Sequence, residues 1–368
     1  MKILLLILII IHGLIHLLGF VKAFQLADVS QLTQPISRSA GVLWLIAAVL
    51  FVISFLLVVL STQSWWVVAG TAVLLSQVLI VLSWTDAKFG SIANLMIMVP
   101  VAIAFLDALP SSFHNRYEAE VKAKLGPIVD ASVVSTEETR HLPAPVQKYL
   151  EYAGVIGKPK VHNFRAVFRG SMKRSLESDW IDIKSYQYNF FGDNARLFYI
   201  ESSLFGIPFD GLHAYIGDNA TMQIKVASVF MVADAKGEKM THGETVTMFN
   251  DMCMMAPATL IDRAIQWEPI DTLKVKATFT NRGNTITALL TFNDKGQLID
   301  FISNDRYYST DGKTYTSYPW STPVREYRSF GGRNVPAYAE AIWHTPEGEY
   351  SYARFNLEEI EYNCESFR

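Results

Sequence analysis

The sequence predicts an α+β protein: an N-terminal four-helix transmembrane bundle, then a mainly antiparallel curved β-sheet domain with a few covering helices. Three observations carry this. Residues 3–20, 41–60, 66–82 and 89–109 are apolar stretches, each long enough, or nearly so, to cross a hydrocarbon core of about 30 Å. Seven formally charged side chains fall among the first 109 residues: Lys2, Lys22, Asp28, Arg38, Asp86, Lys88 and Asp107. All but Asp107 lie in the gaps or at the start, where hydropathy rules put them. Beyond residue 110 the chain turns polar, and apolar–polar alternation replaces the continuous runs. Residues 1–110 are therefore read as the membrane domain and 111–140 as a connector. Residues 141–368 are read as a soluble antiparallel β domain with a helical insert at 243–265.

The bulk numbers narrow the function classes. A formal net charge of −3 argues against nucleic acid as a partner. Cys253 and Cys364 are the only cysteines, too few for a disulfide framework or a thiolate zinc site. Lys2 followed by an apolar run resembles the start of a signal peptide, but His16-Leu-Leu-Gly-Phe-Val-Lys22 offers no small-residue cleavage site. An uncleaved first helix is the expectation.

Trp65, Trp66 and Trp84 bracket the third stretch, at the level where aromatic side chains meet headgroups. Only Ser61-Thr-Gln-Ser64 separates the second and third stretches, so these form an antiparallel hairpin. Four spans return the chain to its starting side. Lys2, Arg116, Lys122 and Lys124 then share one side and Lys22, Arg38 and Lys88 the other, which tilts the soluble domain toward the cytoplasm. His12 and His16 are four residues apart on the first stretch, hence on one helix face, and ionisable groups at membrane depth are functional candidates. Two readings stand: neutral imidazoles bonded inside the bundle, or a proton or quinone role in a membrane redox module. No other stretch carries a histidine, so a shared haem lacks its second axial ligand. Asp86 and Lys88 either keep the joint before the fourth stretch wet or contribute to a small polar membrane site.

The soluble elements follow in order. Residues 117–125 read as a short helix near the membrane, with Arg116, Lys122 and Lys124 toward anionic lipid. Leu142-Pro-Ala-Pro-Val-Gln-Lys-Tyr-Leu-Glu-Tyr-Ala-Gly154 reads as a helix, with proline near its start and glycine at its end. Period-two alternation then marks strands at 161–172, 180–191, 196–202, 209–216 and 222–232. The insert 243–265 reads as helix, broken at Pro257, with an apolar surface of Met248, Phe249, Met252, Cys253, Met255 and Leu260. Seven of eleven methionines fall between Met222 and Met255. Methionine either fills gaps in a core or lines a pocket for varied apolar shapes. A second β region runs from 272 to the C-terminus. Its turns are Asn281-Arg-Gly-Asn284, Asn293-Asp-Lys-Gly296, Thr310-Asp-Gly-Lys313 and Phe330-Gly-Gly-Arg333. Alternation with one polar face means antiparallel pairing.

No Gly-rich phosphate loop, nucleophile elbow or His-Glu-x-x-His occurs, and the histidines at 114, 141, 162, 213, 242 and 344 lack metal-ligand spacing. No metal or cofactor is expected. The densest polar–aromatic cluster joins Asn304-Asp-Arg-Tyr-Tyr308, Tyr318-Pro-Trp-Ser321 and Arg325-Glu-Tyr-Arg328, followed by Glu340 and Trp343. Asp305, Arg306, Glu340 and Trp343 are candidates for cross-strand structural pairs, for a headgroup site, or for an acid–base enzyme. Whether the chain is an enzyme stays open.

Two resemblances add to this. Gly13-Leu-Ile-His-Leu-Leu-Gly-Phe-Val-Lys-Ala-Phe24, Thr33-Gln-Pro35 and Ser76-Gln-Val-Leu-Ile-Val-Leu-Ser-Trp-Thr-Asp-Ala-Lys-Phe-Gly90 resemble the small DoxX-like four-helix membrane proteins. That group is loosely tied to redox physiology. The soluble part resembles a bacterial domain family of unknown function. This likeness rests on the 142–159 run, Ala256-Pro-Ala-Thr-Leu260, Trp267-Glu-Pro269, residues 336–343 and residues 350–362. Its layout also resembles the half-barrel of lipoprotein carriers, whose concave face holds acyl chains; fold alone does not fix function. The expectation is a multi-pass protein of the bacterial inner membrane that handles a lipid or other hydrophobic ligand. Met248, Phe249, Met252, Met255 and Leu260 would line the site, with Arg306 or its neighbours at a polar head. The bilayer and a hydrophobic small molecule are the expected partners, and oligomeric state is left undetermined.

Overall fold

A computed structural model describes residues 2–204, 206–309 and 313–368. The chain divides into two compact units, Met1–Ser112 and Phe113–Arg368.

The first unit is built from α1 (Lys2–Ala23), α2 (Arg38–Val59), α3 (Trp65–Leu82), the one-turn α4 (Trp84–Ala87) and α5 (Gly90–Asp107). All but α4 are long and apolar enough to cross a membrane. Small residues let apolar helices pack by close backbone approach. Gly13 and Gly19 permit it here: a Cβ on Gly13 would stand 2.7 Å from the Phe51 side chain, and one on Gly19 2.3 Å from the Trp44 ring.

The second unit begins with α6 (Phe113–Lys124), α7 (Thr136–Thr139) and α8 (Ala144–Tyr152). A six-strand meander follows: β1 (Asn163–Met172), β2 (Ile181–Phe190), β3 (Ala195–Leu204), β4 (Ile207–Ile216), β5 (Asn219–Val226) and β6 (Phe230–Lys236). Next come α9 (Glu238–Met255) and a 3-10 turn at Pro257–Ile261. The second wing holds β7 (Gln266–Pro269), β8 (Lys274–Asn281), β9 (Asn284–Phe292) and β10 (Leu298–Ser303). The last strands are β11 (Tyr307–Tyr308), β12 (Thr316–Ser317), β13 (Trp320–Ser321), β14 (Val324–Phe330), β15 (Arg333–Thr345) and β16 (Gly348–Tyr362).

The large sheet is antiparallel throughout, in the order β6-β5-β4-β3-β2-β1-β16-β15-β13-β10-β9-β8-β7, with β14 also on β15. The first and last strands of the unit meet at its centre, and β6 and β7 are its two edges. Helix α9 connects those edges, so it must cross one face of the sheet. From Thr241 onward almost every residue of α9 is buried. A helix buried all round normally reads as apolar all round; this one instead carries Glu244, Asn250 and Asp251 inside, and those groups must be paired.

Strand β3 separates the two layers. Its alternate residues Arg196, Phe198 and Ile200 face the α9 side, while Ala195, Leu197 and Tyr199 join Tyr188 and the α6 residues Phe113, Tyr117 and Val121 in a second core on the other face. Helix α6 is thus a packed element of the second unit rather than part of a connector. Its basic residues find protein partners: Lys122 pairs with Glu118, Lys124 with Asp193, and Arg116 donates to Gln223 (3.1 Å). The strand expected at 222–232 is instead a hairpin, because Ala227 and Ser228 both take positive φ (53° and 56°). The turn at Arg282-Gly283 has the same geometry with the glycine that makes it readable. The turn expected at Thr310–Lys313 lies outside the described residues in all but Lys313.

Candidate functional site

Helix α9 lays two acids, seven residues and two turns apart, against the inner face of the meander. Arg196 of β3 reaches both. Its Nε donates to Asp251 Oδ2 (2.7 Å) and its Nη1 to Glu244 Oε2 (3.3 Å). The side chains are almost fully enclosed, at 7% exposure for Arg196, 5% for Asp251 and 2% for Glu244. On β2, Gln187 and Asn189 share a face and both donate to Asp251 Oδ2, at 2.7 and 3.0 Å. From the loop after β10, Arg306 donates to Glu244 Oε1 (3.4 Å) and lies over the Trp320 ring, 4.3 Å from its centroid. His213 of β4 completes the group, 3.8 Å from Glu244.

The electrostatics separate the two acids. Burial alone would push the Glu244 carboxyl up, but His213 and the Arg196 and Arg306 guanidiniums outweigh it and hold the group at about 2. For Asp251 burial wins over Arg196 and the side-chain amide of Asn189, and its pKa is raised. Burial lowers His213, against the pull of Glu244. Two guanidiniums thus share one firmly ionised carboxylate and one reluctant one.

This cluster borders a half-open cavity of about 130 Å³. Its other walls are apolar: Phe168, Phe198, Ile200, Phe355 and Leu357 from the sheet, with Met254 and Met255 from the end of α9. The space exists because β15 and β16 place small side chains there, Ala337, Ala339, Ala341 and Ala353. Ala341 and Ala353 face each other across the two strands. Thr247 and Asn250 add polar atoms, Asn250 being held by the Thr322 hydroxyl (2.6 Å).

The expected site residues are partly gathered here. Met255, Arg306 and Glu340 border the cavity. Trp343 is buried just behind, 5.7 Å from the Arg306 guanidinium. Met248, Phe249 and Leu260 are fully buried packing residues; Phe249, for example, stacks on Phe279 (5.0 Å). Met252 borders a separate, more polar cleft of about 370 Å³ with His141, Lys160 and His162. Asp305 accepts from the Thr287 amide (2.6 Å) and hydroxyl (2.9 Å), which pins its loop to β9. Glu340 is bonded away from Arg306, to Tyr338, Ser351 and Arg325 at 2.8, 2.9 and 3.1 Å. Burial pushes its pKa up, but those three bonds and Arg354 take it below the ordinary carboxylate range.

Arg196, Glu244, Asp251, Gln187, Asn189 and His213 are additions that sequence reasoning passed over. Their signals were an arginine inside an apolar strand, two amides at alternate strand positions, and acids at i and i+7 of a methionine-rich helix. Among the described residues no group of three or more histidine, cysteine and acidic side chains could hold a metal.

The other polar candidates lie in the first unit. His12 Nε2 donates to Asn94 Oδ1 (2.9 Å), and His16 Nδ1 donates to the His12 carbonyl (2.8 Å). Ser76 Oγ lies 2.9 Å from His16 Nε2 and 3.0 Å from Asn94 Oδ1, and Asn94 Nδ2 donates to Gln77 (3.0 Å). Asp86 accepts from the Thr33 hydroxyl and amide (both 2.7 Å) and the Gln34 amide (3.1 Å). The Thr33 hydroxyl and those amides hold its carboxyl below the ordinary range. Lys88 is exposed, over the Phe89 ring.

Residues 132–355 match the profile of a family of unknown function, DUF6544, and the chain belongs to it. No curated protein is significantly similar to it. Among solved structures it is similar to a putative outer membrane lipoprotein-sorting protein domain from Vibrio parahaemolyticus (8% identity, TM-score 0.32), over 54% of this chain and 85% of that one. It is also similar to a LolA superfamily protein from Nitrosomonas europaea (11%, TM-score 0.34, 59% and 93%). A third is a DUF1329 family protein from Desulfovibrio piger (11%, TM-score 0.34, 60% and 92%).

Proposed function

Starting from that membership, we propose that the chain binds a hydrophobic ligand with a polar head in the cavity between α9 and the sheet. It does so at the surface of the membrane that its apolar helices are long enough to cross. The observation that carries this reading is a half-open cavity with mainly apolar walls that two arginines border. Burial of ligand surface against Phe168, Phe198 and Phe355 supplies affinity, at about 25 cal/mol per Å². Arg306 supplies orientation, because a guanidinium has five donors and, among the described residues, this one gives a single long bond to Glu244. An apolar space of about 150 Å³ takes a benzene-sized molecule. The slot therefore holds one chain segment or ring, not a whole two-chain lipid.

The test uses the full chain purified in mild detergent. Native mass spectrometry of the wild type is expected to retain a small apolar molecule that organic extraction removes. Ala341→Phe fills the slot, and binding of a fluorescent fatty acid is expected to weaken about tenfold or more, or ~1.4 kcal/mol. A thermal melt confirms that the variant folds. A wild type that carries nothing and is not stabilised by fatty acids, or a folded variant that binds as well, overturns the reading.

A further inference from the structure

One end of the sheet carries large apolar side chains in water. Leu176 is exposed in the β1–β2 connection, Leu204 and Ile207 at the β3–β4 turn, and Val229, Phe230, Met231 and Val232 at the β5–β6 turn. Phe230 is 67% exposed and Val232 60%. The last two turns lie side by side, since the Ala227 amide donates to the Pro208 carbonyl (2.7 Å) and Phe209 pairs with Val226.

Sheet edges in water are normally protected by charge, proline or brevity. The edge strand β7, Gln266-Trp-Glu-Pro269, follows that rule. The other edge, β6, opens with Phe230-Met-Val232 and reaches its first charge only at Asp234. Successive strand residues point to opposite faces, so four consecutive exposed apolar residues make both faces of this tip apolar. A protein partner docks on one face; a medium that surrounds the tip suits both. The hairpin also packs on the element that follows the apolar helices in sequence. Helix α5 ends at Asp107 and α6 begins at Phe113, whose ring lies 4.5 Å from the Lys225 ammonium of β5.

We propose that the β3–β4 and β5–β6 tips insert into the lipid surface of the bilayer. Insertion is confined to interfacial depth, because the free edge of β6 would lose water from its backbone groups if it went deeper. The proposal is independent of whether the cavity holds a ligand.

The experiment labels Phe230→Cys with an environment-sensitive thiol probe in the full chain, reconstituted in lipid nanodiscs. Cys253 and Cys364 are buried and do not compete. Lys295→Cys, in an exposed polar turn, is the reference. The expected result is a blue-shifted label at position 230 that loses most of its emission to brominated lipid and little to aqueous iodide, with the reverse at position 295. Iodide quenching at position 230 equal to that at 295 overturns the proposal. Shielding from both quenchers also overturns it, because protein, such as a second copy, would then cover the tip.

Discussion

In the helical unit the buried polar groups are neutral and closed on themselves. His12, His16, Ser76, Asn94 and Gln77 exchange hydrogen bonds across α1, α3 and α5, and Trp44 and Phe51 pack on the two rings at 5.0 Å. In the β unit the buried polar groups are charged, and they face a cavity. A neutral network repays its desolvation with the bonds it makes and has nothing left to offer. A buried ion cluster is different: hydrophobic residues of the same volume would often serve stability as well or better. On the proposed function, the four charged side chains that border this cavity serve what enters it. Both regions bury polar atoms, but only the charged ones border the cavity.

The comparison breaks most readily at Arg196. Arg196→Met keeps much of the stem's volume and strands Asp251 with amides alone and Glu244 with Arg306. Removing one partner of a buried pair costs about 3–5 kcal/mol, so a large drop in the denaturant midpoint is expected. A loss under ~1 kcal/mol would mean that the cluster behaves as a surface pair, and the contrast with the helical unit would fall.

Glu244 sharpens the contrast through pH. Its folded pKa of about 2 lies below the ordinary 4.5, a difference worth roughly 3 kcal/mol. Because the folded value is depressed, that contribution is fully present above about 4.5 and is lost as pH falls through about 2. Comparing wild type with Glu244→Gln by denaturation at several pH values reads it, together with the changes at Asp251 and His213, which both feel the Glu244 charge. The stability gap is expected to be widest near neutrality and to close on acidification. A gap that does not change with pH would mean that Glu244 is protonated in the folded state.

How much of this could be read from the sequence depended on which physical signal each residue carried. The four apolar helices were legible because their apolar runs are unbroken, with charges only in the gaps or near the ends. The turns at Arg282-Gly283 and Gly331-Gly332 were legible because positive φ favours glycine. The turn at Ala227-Ser228 uses the same φ region without glycine, so two strands looked like one. Strand β3 is apolar on both faces because α6 covers one and α9 the other, and pattern alone does not reveal the second layer. Arg306, Glu340 and Met255 were legible as cavity residues through local aromatic and methionine density. Glu244 and Asp251 were not, because an acid in a helix usually means a solvated face, and their partners, Arg196 of β3 first among them, are distant in the chain.

The smallest expected effect lies in the helical unit. Asn94 Oδ1 accepts from His12 and lies 3.0 Å from Ser76 Oγ, and its Nδ2 donates to Gln77. Asn94→Leu removes these contacts at similar volume. Interhelical bonds of this kind average about 0.6 kcal/mol and reach ~1.7 kcal/mol, since the loosened helices find other partners. A modest shift in an SDS unfolding titration is expected, with fatty-acid binding unchanged. The paired readout matters more than the size of the shift. Should binding fall with stability, the histidine network would be coupled to the slot. The closed network would then have to be treated as part of the functional apparatus rather than as the glue of a helix bundle.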